Sequence, residues 1–173
     1  ALAGVEPDVG FSTVDVRTSY DVAVGGRALT VTAYTPDRSV YVDRMFYRDR
    51  RGEVVMENSL FRVDEKMRKS GVATKVLSSQ IETARKLGIR QMRCHALVDQ
   101  RNVGAKVWPR FGYDCELPTS VTRKLPPGLR GAVRVSDLMK TKAGRDWWDE
   151  NAVSLDMVFD LRDGSRSLDA WEK

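Results

Sequence analysis

The chain of 173 residues carries 29 Lys and Arg against 24 Asp and Glu, with one His and two Cys. Its length and its 42% hydrophobic content are typical of a globular protein with a real core, which argues against wholesale disorder. One His and two Cys are too few for a structural zinc site, and they argue against a Ser-His-Asp or Cys-His hydrolase. We therefore expect no metal, and a chemistry that depends on carboxylates, hydroxyls, backbone amides and basic side chains.

The sequence carries no pattern that directs it to a membrane. No apolar run is long enough to span a bilayer, and no secretory signal pattern opens the chain. Two thiols, Cys94 and Cys115, stand outside any Cys-x-x-Cys motif and suit a reducing compartment. These features predict a cytoplasmic protein with no membrane partner.

Charge is distributed unevenly along the chain. Residues 38–110 hold 17 basic and 8 acidic residues, a net charge of +9, whereas residues 145–173 hold 4 basic and 8 acidic residues, a net charge of −4. A basic block can attract nucleic acid, an acidic protein or a phosphorylated cofactor. It can equally be a solvated surface that pairs with the acidic tail.

The first part of the chain has the alternation typical of strands. After a loose lead-in at 1–10, four strand-like runs follow on short turns, and Gly25-Gly26 supplies the first hairpin turn. The runs cover 12–24, 28–34, 40–47 and 54–63. Consecutive strands on short connections predict an antiparallel meander.

The period then changes to that of a helix. Apolar residues between 71 and 87 recur at three- and four-residue steps, and Gly88 is well placed to end this amphipathic helix. The elements expected next are a strand at 91–98, a short helix at 101–108 stopped by Pro109, and a strand at 111–117.

The last third of the chain is less regular. Prolines and glycines make 119–131 a long loop, and the Trp147-Trp148 pair is expected in the core. The remaining elements are expected at 136–142, 144–151, 153–159 and from 165 onward.

This element order predicts an α+β fold, with a central, mixed but mostly antiparallel sheet flanked by helices and an α/β C-terminal extension. We expect residues 1–117 to form the core and residues 118–173 to pack on it as an extension.

The clearest functional signal lies where the fourth strand meets the long helix. The segment reads Arg68-Lys-Ser-Gly71-Val-Ala73, and a turn of small residues that opens a helix leaves several backbone N–H groups pointing the same way. Lys69 and Lys75 add positive charge beside Arg68. The segment indicates an anion site, although alone it also fits an ordinary strand-to-helix turn. It is neither a Walker A motif nor a dinucleotide fingerprint.

In this context the Arg68-x-x-Gly71-x-Ala73 pattern resembles the pyrophosphate-binding signature of the GNAT acyltransferase superfamily. The resemblance extends over residues 40–113, and it implies a GNAT-like fold that takes acetyl-coenzyme A as co-substrate. It places the pyrophosphate on the signature amides and the pantetheine arm along the end of the fourth strand. The cofactor-binding residues that it implies are Phe61, Arg62, Val63, Arg68, Lys69, Ser70, Gly71, Val72, Ala73, Thr74 and, one position out of the family's register, Asn102.

The resemblance also implies a catalytic base. Some members carry a Glu fourteen positions before the first small residue of the signature, which here is Glu57. Burial can raise the pKa of such a carboxylate, so that it accepts the proton of an ammonium group. The alternative is an exposed strand residue paired with an Arg. His95 is a second candidate for the base, although a lone His is often structural.

Two features depart from the family pattern. In the family, a Tyr at the position of Trp108 protonates the leaving thiolate. Here that proton could come from Tyr113 or from water, or the thiolate could leave without being protonated. The family also inserts two helices between its first two strands, and Gly25-Gly26 leaves no room for them. We therefore expect the acceptor to be recognised elsewhere, within 119–151.

Three functions remain open at this point. The first is an acetyl-coenzyme A-dependent N-acyltransferase that acts on an unidentified amine, either a small molecule or a protein. The second is a catalytically inactive GNAT-like module that binds acyl-coenzyme A or a partner protein. The third is a nucleic-acid-binding domain, which is disfavoured because the basic block lacks interleaved exposed aromatic residues.

Overall fold

Alternating apolar residues in the first half of the chain form four strands that pair in chain order. The computed structural model describes residues 9–22, 24–100 and 102–172. The strands are β1 Thr13–Asp21, β2 Gly26–Tyr34, β3 Val40–Arg48 and β4 Val54–Val63. Each is antiparallel to the next, which confirms the predicted meander. Most of the predicted lead-in, residues 1–8, lies outside the described residues.

A bulge in β4 decides which side chains lie on each face of the sheet. The pairing of β3 with β4 shifts by one residue, so that Ser59 is the extra residue of β4. Because of this shift, Met56, Asn58 and Phe61 share one face, while Glu57 lies on the other. In an unbroken strand Phe61 would instead lie on the face of Glu57.

Helix α1, Val72–Lys86, packs on the face of the sheet that carries Met56 and Asn58. Its buried Gln80 donates hydrogen bonds from Nε2 to Asn58 Oδ1 at 2.7 Å and to Met56 Sδ at 2.9 Å. Gly88 follows the helix with a φ of 72°, as expected of the residue that ends it. The buried apolar residues of the same helix face are Val76, Leu77, Ile81 and Ala84.

The chain divides into two compact units, Ala1–Met92 and Arg93–Lys173, and the boundary lies inside strand β5, Gln91–Ala96. The second unit also contains strand β6, Leu155–Asp160. Its helices are α2 Gly104–Val107, α3 Thr119–Thr122, α4 Val135–Met139, α5 Lys142–Asn151 and α6 Arg166–Trp171.

Trp148 in α5 belongs to the core of the second unit. Its side chain is fully buried, and its Nε1 donates a hydrogen bond to the Ala105 carbonyl at 2.8 Å. The expectation of a buried Trp pair is confirmed for this residue, whereas Trp147 is half-buried.

The strand expected at 111–117 was a wrong prediction. Trp108–Phe111 forms a 3-10 helix, and the chain then makes only isolated bridges at Asp114 and Glu116. The physical reason is Gly112, whose φ of 90° turns the backbone away from an extended path.

Other predicted boundaries shift by smaller amounts. The helix expected at 101–108 is the four-residue α2, and Arg101 lies outside the described residues. The loop expected at 119–131 contains α3 and a 3-10 turn at Pro127–Leu129. The closing helix starts after Ser165, whose Oγ accepts a hydrogen bond from the Leu168 amide at 3.2 Å.

The strand order is β1-β2-β3-β4-β5-β6, with β5 shared by the two units. An open, mostly antiparallel sheet with helices is an α+β fold, which confirms the predicted class. Within the described ranges, no helix is long and apolar enough to cross a membrane.

The substitution Gly144→Ala should destabilise the protein by about 1–3 kcal/mol. A Cβ at this position would overlap the Leu138 carbonyl oxygen, a backbone atom that cannot move aside alone. Equilibrium urea denaturation measures the change in the free energy of unfolding. Gly128→Ala is the matched control, because a Cβ there meets no atom within 4 Å. Equal stabilities of the two variants would contradict the prediction.

Candidate active site

The junction between β4 and α1 is built from two residues with left-handed backbone. After β4 the chain makes a 3-10 turn at Glu65–Met67, and Lys69 and Gly71 then adopt φ values of 62° and 82°. Ser70 lies between them and donates from Oγ to the Met67 carbonyl at 2.6 Å. This hydrogen bond holds the tight turn from which α1 starts.

The start of α1 leaves its first amides available to a ligand. Gly71 is the N-cap residue, and no side chain caps the helix. The amides of the first turn, from Val72 to Thr74, have no acceptor within the helix, and they point along its axis with its positive dipole end. A Cβ on Gly71 would have no heavy atom within 4 Å, so space is open beside these amides. This arrangement can bind an anion.

Exposed cations surround these amides. The side chains of Arg68, Lys69 and Lys75 are exposed, and no carboxylate pairs with them among the described residues. Arg62, by contrast, lies 3.8 Å from Asp64. The positive charge at the start of the helix is therefore available to a ligand.

Lys66, in the preceding turn, is already engaged. Its Nζ donates to Asp37 Oδ2 at 3.1 Å. The Ser39 backbone amide, as the largest contribution, holds the pKa of the Asp37 carboxyl far below its usual range, and the Thr35 hydroxyl and the Lys66 ammonium lower it further. This carboxylate therefore stays ionised and ties the turn before α1 to the turn between β2 and β3.

The end of β4 carries the other residues expected at the cofactor. Phe61 is half-buried on the face that packs on α1. Val63 pairs with Val40 at the end of the ladder. Arg62 lies on the opposite face and donates from Nη2 to the Arg38 carbonyl at 3.2 Å. The three residues lead directly into the turn before α1.

Glu57 is half-buried on the face of the sheet opposite α1. The Tyr47 hydroxyl donates to its Oε2 at 3.3 Å, across a diagonal between β3 and β4. Within the described part of the chain no Arg pairs with this carboxylate, so the expected alternative of an Arg ion pair is not what the structure contains. Sequence reasoning missed Tyr47, because only the register of the two strands brings it beside Glu57.

His95 lies on β5, within the second unit, and its side chain contacts a residue of β6. Its Nδ1 is 2.6 Å from Asp156 Oδ1, and the two side chains are 56% and 89% exposed. A carboxylate at Nδ1 favours the tautomer with the proton on that atom, which leaves Nε2 as the proton acceptor. Asp156 is a second residue that sequence reasoning missed, since it lies on a distant strand.

Tyr113 and Asn102 are each engaged within the second unit. Tyr113 is 1% exposed, and its ring packs 4.8 Å from the ring of Trp108 and 5.4 Å from that of Phe159. The Asn102 side chain donates from Nδ2 to Asp99 Oδ2 at 2.8 Å and stabilises the loop before α2. Their parts in catalysis and in cofactor binding stay predictions.

The structure thus brings one group of predicted residues together. The residues from Arg68 to Thr74 form a single turn and helix start, which the 3-10 turn at Glu65–Met67 connects to Phe61–Val63. Glu57 lies on the same strand but on its other face. In the part of the chain that the structure describes, no group of three His, Cys, Asp or Glu could hold a metal ion.

Comparison with known proteins gives partial likenesses of fold. No family model matches the sequence, and no curated protein matches it. Naa50 of Arabidopsis thaliana, in complex with the bisubstrate analogue CoA-Ac-MVNAL, is similar with a TM-score of 0.40 and 16% identity, covering 51% of this chain and 58% of that one. This chain therefore spans less than two thirds of the Naa50 chain.

Two further acetyltransferases are similar to the same degree. One, of the GNAT family and from Staphylococcus aureus, has a TM-score of 0.42 and 11% identity, covering 83% of this chain and 72% of its own. The other, nourseothricin acetyltransferase, has a TM-score of 0.38 and 16% identity, covering 72% of this chain and 83% of its own. All three likenesses are partial, with identities of 16% or less.

Alkylation of Cys115 is expected to be slow in the folded protein. Burial, and to a smaller extent the neighbouring Asp114 charge, raises the pKa of this thiol to about 11. Since the thiolate is the nucleophile, iodoacetamide at pH 8 should modify Cys115 about 100-fold more slowly than a free cysteine. Mass spectrometry of the labelled peptide measures the rate. The urea-unfolded chain is the control, and equal rates in the two states would show that the thiol is not protected.

Proposed function

We propose that this protein is an acetyl-coenzyme A-dependent N-acyltransferase, which moves an acetyl group to an amine. The observation that carries the proposal is the start of α1, where uncapped amides, the open position at Gly71 and exposed cations converge. A diphosphate fits this surface, because its oxygens accept hydrogen bonds from amides and its charge pairs with Arg and Lys. The resemblance to the GNAT signature supports coenzyme A as the source of the diphosphate.

The binding roles proposed for the first unit are those that the resemblance implies, and its geometry is compatible with them. The amides from Gly71 to Thr74 would hold the pyrophosphate, with Arg68 and Lys69 supplying charge. Ser70 would keep the turn in place through its hydrogen bond to the Met67 carbonyl. Backbone groups of Phe61–Val63 would pair with the amides of the pantetheine arm. The bound coenzyme supplies an acetyl group activated as a thioester.

The proposed reaction is direct aminolysis of the thioester. The amine nitrogen attacks the carbonyl carbon, so that a C–N bond forms and the C–S bond breaks, with the electron pair leaving on sulfur. A backbone N–H near Val63 would donate to the carbonyl oxygen, where negative charge develops. A thiolate is stable enough to leave without a proton donor, so the step does not require Tyr113.

Glu57 is the proposed proton acceptor. The hydrogen bond from Tyr47 to its Oε2 orients the carboxylate and leaves Oε1 to take the ammonium proton, directly or through water. His95 is the second candidate, because Asp156 fixes its ring and leaves Nε2 as an acceptor. Acceptor recognition is proposed to lie in 119–151, since the turn between β1 and β2 is too short to hold helices.

A binding module without turnover is the alternative, and one observation favours it. Trp108, at the position of the family's proton-donating Tyr, is 9% exposed and packs on Tyr113 as part of a core. Such a module would bind acyl-coenzyme A through the same amides and would release no coenzyme.

Loss of charge at the start of α1 should weaken acetyl-coenzyme A binding. The double variant Arg68→Ala, Lys69→Ala is expected to raise the Kd about ten-fold or more, because two phosphate partners are lost. Arg50→Ala, Arg51→Ala is the matched control, since it removes two charges from the same basic block at the turn after β3. Isothermal titration calorimetry measures both. Equal losses in the two variants, or no binding of the wild type to millimolar ligand, would refute the proposed site.

Glu57→Gln should lower the rate of coenzyme A release about 100-fold or more while leaving acetyl-coenzyme A binding unchanged. The assay follows free thiol across a panel of small amines and peptide N-termini. Glu53→Gln is the matched control, because Glu53 is also half-buried but lies in the turn before β4 and pairs with Arg90.

Two other outcomes separate the alternatives. A large loss with His95→Gln and Asp156→Asn, but not with Glu57→Gln, would assign proton removal to the His95 ring. Tight binding without thiol release from any amine would favour the module without turnover.

A further inference from the structure

Strand β1 forms an exposed edge. It is first in the strand order, and among the described residues it pairs only with β2. Its nine residues, from Thr13 to Asp21, contain no Pro and no Lys, the residue types that commonly block such an edge. The outer N–H and C=O groups of β1 can therefore pair with a further strand.

The side chains of β1 divide into an apolar face and a charged face. Val14 and Val16 are each 52% exposed, and Tyr20, on the same face, is 69% exposed. On the opposite face Arg17 Nη2 lies 2.6 Å from Asp15 Oδ2. The exposed apolar side chains favour contact with a partner, and the two opposite charges can specify which partner it is.

We propose that β1 pairs with β1 of a second copy of this chain, antiparallel about a two-fold axis at Val16. In this register Val16 lies opposite Val16 of the second copy, and Val14 lies opposite Thr18. On the other face each Asp15 lies opposite an Arg17, so that two ion pairs form across the interface. One strand thus supplies both halves of a complementary surface, which is what a two-fold dimer requires.

The neighbouring registers place like charges together. A shift by one pair toward the N-terminus centres the axis on Asp15, with the two Asp15 carboxylates directly opposite. A shift the other way centres it on Arg17, with the two guanidinium groups opposite. Like charges in directly opposed positions are destabilising. The Val16-centred register is therefore selected by charge, whichever residues of β1 direct their hydrogen bonds outward.

Sedimentation velocity of the whole chain, from micromolar to sub-millimolar concentration, tests the dimer. We expect the wild type to sediment as a dimer at high concentration. Asp15→Arg and Arg17→Asp should each weaken the dimer about ten-fold or more, because each places like charges across the interface. A wild type that stays monomeric at the highest concentration would overturn the proposal, and so would a dimer that neither variant weakens.

Mixing the two variants tests charge pairing independently of any effect on folding. Asp15→Arg presents two positive charges and Arg17→Asp two negative charges, so their β1 strands are complementary in the Val16 register. We expect a heterodimer to form from the two monomeric variants at concentrations where neither associates alone. A mixture that remains monomeric would exclude this register.

Disulfide formation locates the axis. Val16→Cys places two thiols directly opposite each other, at a Cα separation of roughly 4.5–5.5 Å that a disulfide can span. Val14→Cys is the matched control, because Val14 has the same exposure but lies opposite Thr18. Mild oxidation should link the first variant at least several times faster. Equal rates would show that contact between copies is not centred on Val16.

Discussion

The hydrogen bond between the buried side-chain amides of Gln80 and Asn58 is the constraint on which the first unit depends. A buried amide that loses its partner costs about 1–3 kcal/mol, so this contact favours one position of α1 along β4. Asn58 immediately precedes the bulge at Ser59, and the helix is thereby fixed where the strand changes its pattern of faces. The start of α1 and the end of β4 keep a defined geometry as a result.

Because of the bulge, the residues of β4 that belong to the two proposed sites lie on different faces of the strand. Before Ser59, Met56 and Asn58 hold α1 while Glu57 faces the other side; after it, Phe61 returns to the side of the helix. In the proposed reaction, anion binding and proton removal thus lie on opposite faces of β4. A flexible pantetheine arm that follows the end of the strand would connect them.

Much of the fold could be predicted from the sequence, because strand and helix periods are local and glycines such as Gly71 and Gly88 mark turns by themselves. The prediction of a strand at 111–117 was wrong because the left-handed backbone of Gly112 interrupts the extended path that the alternation of apolar residues favours. The bulge at Ser59 could not be predicted, since one extra residue in a strand leaves no recognisable pattern in the sequence. The partners of the two candidate bases depend on register and on a distant strand, which no spacing in the sequence encodes.

The burial of Trp148 has a consequence for measurements of unfolding by Trp fluorescence. All four Trp residues, at positions 108, 147, 148 and 171, belong to the second unit, whereas the proposed anion site at the start of α1 belongs to the first. Indole fluorescence therefore reports on one unit, whereas a ligand bound at the start of α1 would stabilise the other. If the ligand shifts the fluorescence transition, the two units melt as one cooperative body; if it does not, they are thermodynamically separate. The native Trp residues can therefore report on thermodynamic coupling between the two units without an added label.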